Sequence, residues 1–312
     1  MHLIDNLQRT CRIACLGLVL VPGIAGMAQA EVPGACGDLQ RRYDAGKSVL
    51  SEIEISNALF GAADNGCVSL VARLLDDGAS FEARDRFGAK PLSHAARKGQ
   101  LDVVRLLLAR GAPIDARNLA GATALFVAID AGSAAVAREL IDDGADVNLT
   151  GRSDLAPLAV AAFMGDDALV AALLARGASP NASDRTGKTA IVYAAARAAL
   201  PIVRRLLEGG IDVNARYGND LTLLMWAAGY DDAAPPADAL KVTAMLLDRG
   251  ARVGDRDDRG RTALMIAAEL GHANIVDLLL SRGADARAKD NAGKMAADLT
   301  SSTDLRERLQ RP

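Results

Sequence analysis

The sequence predicts an all-α solenoid of repeated helix–turn–helix–hairpin units. Three observations lead there. Half of the 312 residues are hydrophobic but only 3% are aromatic. Alanine and leucine supply most of the apolar mass, which suits close helix-on-helix packing better than strands. One recurring slot holds Asn57, Lys90, Thr123, Ala156, Thr189, Thr222, Thr262 and Met295, in steps of 33, 33, 33, 33, 33, 40 and 33. Another holds Gly78, Gly111, Gly144, Gly177, Gly210, Gly250 and Gly283, in steps of 33, 33, 33, 33, 40 and 33. Both lengthen by seven at the same place, which chance does not produce.

Residues 1–30 read as a cleaved signal peptide. Arg9 and Arg12 form a basic start, 13–27 an apolar run, and Ala28-Gln29-Ala30 a small-x-small peptidase site ahead of Glu31. The run is shorter than the ~20 residues a bilayer span needs, and Pro22 and Gly23 interrupt it. Cys15 follows Arg12-Ile13-Ala14, which is not a lipoprotein box. Export without a lasting membrane span is expected. High alanine and arginine content points to a bacterial periplasm, with the extracellular space second. Cleavage removes Arg9, Arg12 and Asp5, leaving 34 basic and 38 acidic residues and a net charge of −4. That balance gives no reason to expect a nucleic acid partner. Cys36 and Cys67 remain, an even pair in an oxidising compartment without a nearby histidine. They read as a structural disulfide rather than a metal set.

Residues 31–55 are a lead-in, in which "GDLQRRYDAGKSVLSEI" is expected to form a capping helix with Cys36 just ahead of it. Seven repeats follow over 56–293. The last complete one shows the plan: "TALMIAAELG" is a short apolar helix and "NIVDLLLSRG" an amphipathic one that Gly283 stops with a left-handed cap. "ADARAKDNAG" then turns the chain through Asp290 and Gly293. The sixth repeat carries seven extra residues around 230–237. Pro235 and Pro236 are expected to end one helix and stiffen a loop, and Asp238 to cap the next helix. Insertions in solenoids often map to the binding face, so a finger extending that surface is expected, against a neutral length change that a loop tolerates cheaply. Residues 294–312, "KMAADLTSSTDLRERLQRP", are a degenerate capping half-repeat whose polar side needs no neighbour.

The units closely resemble the ankyrin repeat. Its hallmark T-P-L-H-x-A-A is matched by "KPLSHAA", "TALFVAI", "APLAVAA", "TAIVYAA", "TLLMWAA" and "TALMIAA", and its G-A-D-x-N by "GADVN" and "GIDVN". The resemblance covers about residues 56–309. Two departures stand out. The family's histidine slot holds Phe60, Ser93, Phe126, Ala159, Val192, Met225 and Met265, so its hydrogen bonds to the hairpins are absent and looser hairpins are expected. Asp154 and Asp220 replace the turn glycine, so two hairpins are expected to depart from the usual geometry. The expected Cys36–Cys67 disulfide would pin the lead-in helix to repeat one.

No motif for catalysis emerges. Gly187-Lys188-Thr189 and Gly46-Lys47-Ser48 end like a phosphate-binding loop, but Ala182 and Arg41 stand where its first glycine belongs. "DRDDRG" (255–260) hints at a calcium loop, but Arg259 and Ile266 occupy ligand positions. His94 and His272 lie repeats apart. The expectation is a non-catalytic protein with no cofactor and no metal.

The resemblance implies a concave face on which partners meet the two residues before each turn glycine and the two after the Ala-Ala pair. Those slots and their neighbours hold Arg86, Phe87, Arg97, Lys98, Arg152, Arg185 and Arg197, and, in the middle and beyond, Phe163, Met164, Tyr193, Tyr217, Trp226, Tyr230 and Leu270. Tyr, Trp and Arg are favoured at interface hot spots; the bland alternative for Tyr193 and Trp226 is gap-filling between repeats. The basic stretch predicts an acidic partner surface. The function expected is an exported, monomeric protein-binding scaffold. The resemblance brings forward an accessory of a periplasmic redox enzyme as partner class. The alternative is a secreted effector that binds host proteins.

Overall fold

The computed structural model describes residues 33–46, 49–230 and 233–310. The signal peptide and its Ala30–Glu31 cleavage site, Lys47-Ser48 and Asp231-Asp232 of the insert lie outside the described residues. A lead-in helix, α1 (Pro33–Gly46), is followed by seven helix pairs: α2 (Glu52–Asn65) and α3 (Val68–Asp76), α4 (Pro91–Arg97) and α5 (Leu101–Ala109), α6 (Ala124–Asp130) and α7 (Ala134–Asp142), α8 (Pro157–Met164) and α9 (Asp167–Ala175), α10 (Ala190–Ala196) and α11 (Leu200–Glu208), α12 (Leu223–Ala228) and α13 (Pro236–Asp248), α14 (Ala263–Leu270) and α15 (Ala273–Ser281). A short terminal pair, α16 (Ala296–Leu299) and α17 (Thr303–Gln310), completes the row. The first helices pack side by side in one layer and the second helices in another.

The recurring slots have a physical purpose. From the second repeat onward, Lys90, Thr123, Ala156, Thr189, Thr222, Thr262 and Met295 are the N-cap residues of the first helices, in extended backbone. Thr123, Thr222 and Thr262 accept a hydrogen bond from the backbone N–H three residues on. The glycine series takes left-handed φ values between 84° and 96° just past each second helix, where a Cβ would be strained. The first helices of repeats two to seven have only six to eight residues, too few to persist alone. Their paired alanines, such as Ala95-Ala96, Ala161-Ala162 and Ala267-Ala268, are fully buried, which lets neighbouring helices approach closely and makes each unit depend on the next.

The hairpins are closed, not loose. Asp85, Asn118, Asp184, Asp257 and Asp290 each accept two backbone N–H bonds with one side-chain oxygen, from the residues two and four further on. This Asx closure works without the histidine the expectation of looseness rested on. Arg84, Arg117 and Arg256, one residue earlier, and Arg216 ahead of Tyr217, donate both to a carbonyl of their own hairpin and to one of the next. The two hairpins with Asp154 and Asp220 do depart from this geometry. Gly151 and Tyr217 fill their Asx slots, and each tip passes through two consecutive left-handed residues, Ser153-Asp154 and Asn219-Asp220. The second of these forms a two-stranded ribbon, β1 (Arg216–Tyr217) with β2 (Leu221–Thr222).

Three expectations about the ends and the insert need correction. The lead-in helix begins before Cys36 and stops at Gly46, so Cys36 lies inside α1. The first helix of repeat one begins at a Ser51–Glu54 capping box, so Asn57 lies inside it. The insert is not all loop: α13 has 13 residues where the other second helices have nine. Pro235 is its N-cap and Pro236 its first residue, while Asp238 lies within the first turn and pairs with Lys241 at 2.8 Å. Ala234 is buried, so this part of the insert tucks against the body instead of projecting.

Cys36 and Cys67 are joined by a disulfide, Cα to Cα 5.4 Å. Tyr43 of α1 is buried and donates to Asp77 at 2.9 Å, while Arg73 reaches Asp44 at 2.5 Å. At the other end, Leu305 and Leu309 are the buried residues of α17 and the rest of the helix faces outward, as a terminal unit requires.

Candidate protein-binding face

The hairpin tips and first helices carry the side chains singled out above, and the structure sorts them into three groups. At the N-terminal end, Arg86, Phe87 and Arg97 line one groove of about 700 Å³ with Ile53 and Phe60 of α2 and His94 of α4. Phe87 is 57% exposed, with the Arg86 guanidinium 4.7 Å from its ring centre. His94 is buried, stacks on Phe60, and lies 3.2 Å from Asp64 and 3.3 Å from Asp85. Burial pushes the Asp64 carboxyl up, but His94 and Arg97 together outweigh it and hold the group below its usual range.

In the middle, the Phe163 ring meets Tyr193 edge-on at 6.1 Å and carries the Arg197 guanidinium at 5.1 Å. Tyr193 donates its hydroxyl to Asp184. Burial works to raise the Asp184 carboxyl, and the hydrogen bonds from Tyr193, Thr186 and Lys188 pull it lower still. Met164 stands half exposed at the end of α8.

Beyond them the side chains turn inward. Trp226 and Tyr230 are 6% and 7% exposed. Lys188 covers the Trp226 ring at 5.4 Å, and Tyr230 stacks on His272 at 3.9 Å. Leu270 is partly buried on the core. Tyr217 is partly buried, and burial pushes its phenol up to about 12. For Trp226 the gap-filling reading therefore holds: neighbouring repeats cover a side chain that the slot alone placed at the surface. Trp226 and Tyr230 offer a partner little area.

The basic stretch is also less free than its sequence suggests. Arg97 pairs with Asp64, Arg152 with Asp130 at 3.2 Å and Arg185 with Asp154 at 2.9 Å. Arg86 and Lys98 have no carboxylate partner among the described residues. Two exposed residues near this face escaped the sequence reading. Leu119, 81% exposed, occupies the same hairpin slot as Arg86, and its amide bonds the Phe87 carbonyl at 3.0 Å. Ile53, 73% exposed, lies on the early turns of α2 that the repeat pattern did not foresee.

Among the described residues no group of acids, histidines and cysteines could hold a metal ion, and no helix is long and apolar enough to cross a membrane. A family model described as ankyrin repeats in three copies matches residues 59–151 and 158–257, and another for ankyrin repeats in many copies matches 246–299. The chain belongs to the ankyrin-repeat family. Human and mouse ankyrin repeat domain-containing protein 63 are each 46% identical to it over 72 residues, 23% of this chain and 18% of theirs. The match thus spans under a fifth of those relatives. Ankyrin repeats imply a protein–protein interaction scaffold.

Proposed function

We propose that this ankyrin protein is exported, acts without catalysis, and binds a protein partner along its hairpin and first-helix face. One observation carries the reading. Of the five large apolar side chains that stand exposed among the described residues, Ile53, Phe87, Leu119 and Met164 lie on or at the rim of that face, and Val49 sits in a loop apart. The outer helices instead carry ion pairs between neighbouring repeats, such as Arg105–Glu139, Arg110–Asp76, Arg176–Asp142 and Arg282–Asp248. Exposed apolar area gathered on one side marks an interaction surface.

Residues 1–30 supply the export signal, and the disulfide suits an oxidising compartment. The periplasm is the compartment proposed. Service to a periplasmic redox enzyme rests on the family resemblance alone. Secretion to bind host proteins would use the same face.

The test is fractionation followed by capture. The mature chain should be found in the periplasm with Glu31 at its N-terminus. It should retain a partner that a folded Phe87→Ala, Phe163→Ala, Met164→Ala variant releases. An uncleaved cytosolic chain would end the export reading, and equal capture by both chains would move the interface off this face.

A further inference from the structure

We propose that the groove at the N-terminal end of the binding face anchors an acidic, apolar peptide segment of the partner, with a bulky side chain between Ile53 and Phe87 and a carboxylate on Arg86. This rests on the protein-binding reading and specifies its chemistry.

The groove exists because repeat one is unlike the others. Its first helix starts just after Ser51, six residues before the N-cap slot at Asn57. Those six residues add about 9 Å of helix at 1.5 Å each. The extra turns put Ile53, Ser56 and Asn57 into the lining of one groove with Arg86, Phe87 and the stacked Phe60 and His94. The later first helices begin at the slot itself and lack these turns.

Its chemistry is selective. Ile53 and Phe87 face solvent at 73% and 57% exposure, an arrangement whose cost an apolar side chain between them would relieve. The lining cations differ in their commitments. Arg84 is spent on the carbonyls of Gly88 and Arg117, and Arg97 on Asp64. Among the described residues, Arg86 has only the Phe87 ring beneath it. A guanidinium resting on an aromatic face keeps its N–H edge available to a carboxylate. On the acidic side, one Asp85 oxygen accepts the Phe87 and Ala89 amides and the other lies 3.3 Å from His94. Glu52 stands in the first turn of α2, where the positive end of the helix offsets its charge.

The experiment uses the mature full-length chain and a phage-displayed library of random twelve-residue peptides. The binders should place Leu, Ile or Phe beside Asp or Glu. Their affinity should fall at least tenfold for Phe87→Ala and for Arg86→Glu. Arg86→Glu should in turn select peptides with Lys or Arg in place of the acids. Residue 86 is exposed, so this gain separates recognition from misfolding. Binders without acids, binders equally tight to all three chains, or no binders would overturn the proposal. A dimer of the chain alone, lost on Phe87→Ala in sedimentation, would assign the groove to a second copy and overturn it too. None of those results would touch the wider reading if capture through Met164 persists.

Discussion

The His94 imidazole lies flat against Phe60 of the preceding repeat, ring centres 4.7 Å apart, with a carboxylate on each side, Asp64 at 3.2 Å and Asp85 at 3.3 Å. One side chain thus ties the last turn of α2 to α4 and to the hairpin that precedes it. His94→Ala removes the stack and leaves the two partly buried acids without their shared neighbour. It should cost about 2–4 kcal/mol in urea unfolding. Hydrogen exchange should localise the loss to 52–110, because each repeat leans only on its neighbours.

The disulfide should matter most at the front of the chain. It closes a separation of 31 residues between α1 and the start of α3. A Cys36→Ala, Cys67→Ala double variant should lose about 2–4 kcal/mol. Amides of 33–46 should lose protection first, while those of 124–300 keep theirs. Uniform loss along the chain would show that the lead-in helix does not act as a separate cap.

Tyr217 gives the protein an alkaline limit. Its phenol is pushed up to about 12 in the folded chain, against about 10 when unfolded. Its contribution is whole below pH 10. Between 10 and 12 the unfolded chain releases the proton and the folded chain does not, so stability falls across that window. Tyr217→Phe should flatten that slope in urea midpoints at pH 9, 10 and 11, and should remove a step near pH 12 from the tyrosinate absorbance titration at 295 nm.

The ribbon at 216–222 has no room to spare. A Cβ on Gly218 would lie 2.0 Å from the Thr186 carbonyl oxygen of the adjoining hairpin. Gly218→Ala must therefore push two hairpins apart and should cost about 1–3 kcal/mol by thermal or urea unfolding. Gly34, whose Cβ would meet nothing within 4 Å, is the control and should tolerate alanine.

Much of this molecule was legible in its sequence, because a fixed period forces both N-caps and left-handed glycines into register. Asp154 and Asp220 correctly marked the two unusual hairpins. What escaped depended on neighbours one repeat away. Arg152 and Arg185 looked like free charge until Asp130 and Asp154 were beside them. Trp226 and Tyr230 looked like contact residues until Lys188 and His272 covered them. The early start of α2 was written in Ser51 and Glu54, but the repeat count drew attention to Asn57 instead.

The central claim is that partners meet the hairpin and first-helix face. Photo-crosslinking tests it most directly, with benzoyl-phenylalanine placed singly at residues 87 and 164 on that face and at 102 and 142 on the outer helices. The account predicts one common adduct from 87 and 164 and none from 102 and 142. Adducts only from the outer positions, or none from any of the four, would contradict it.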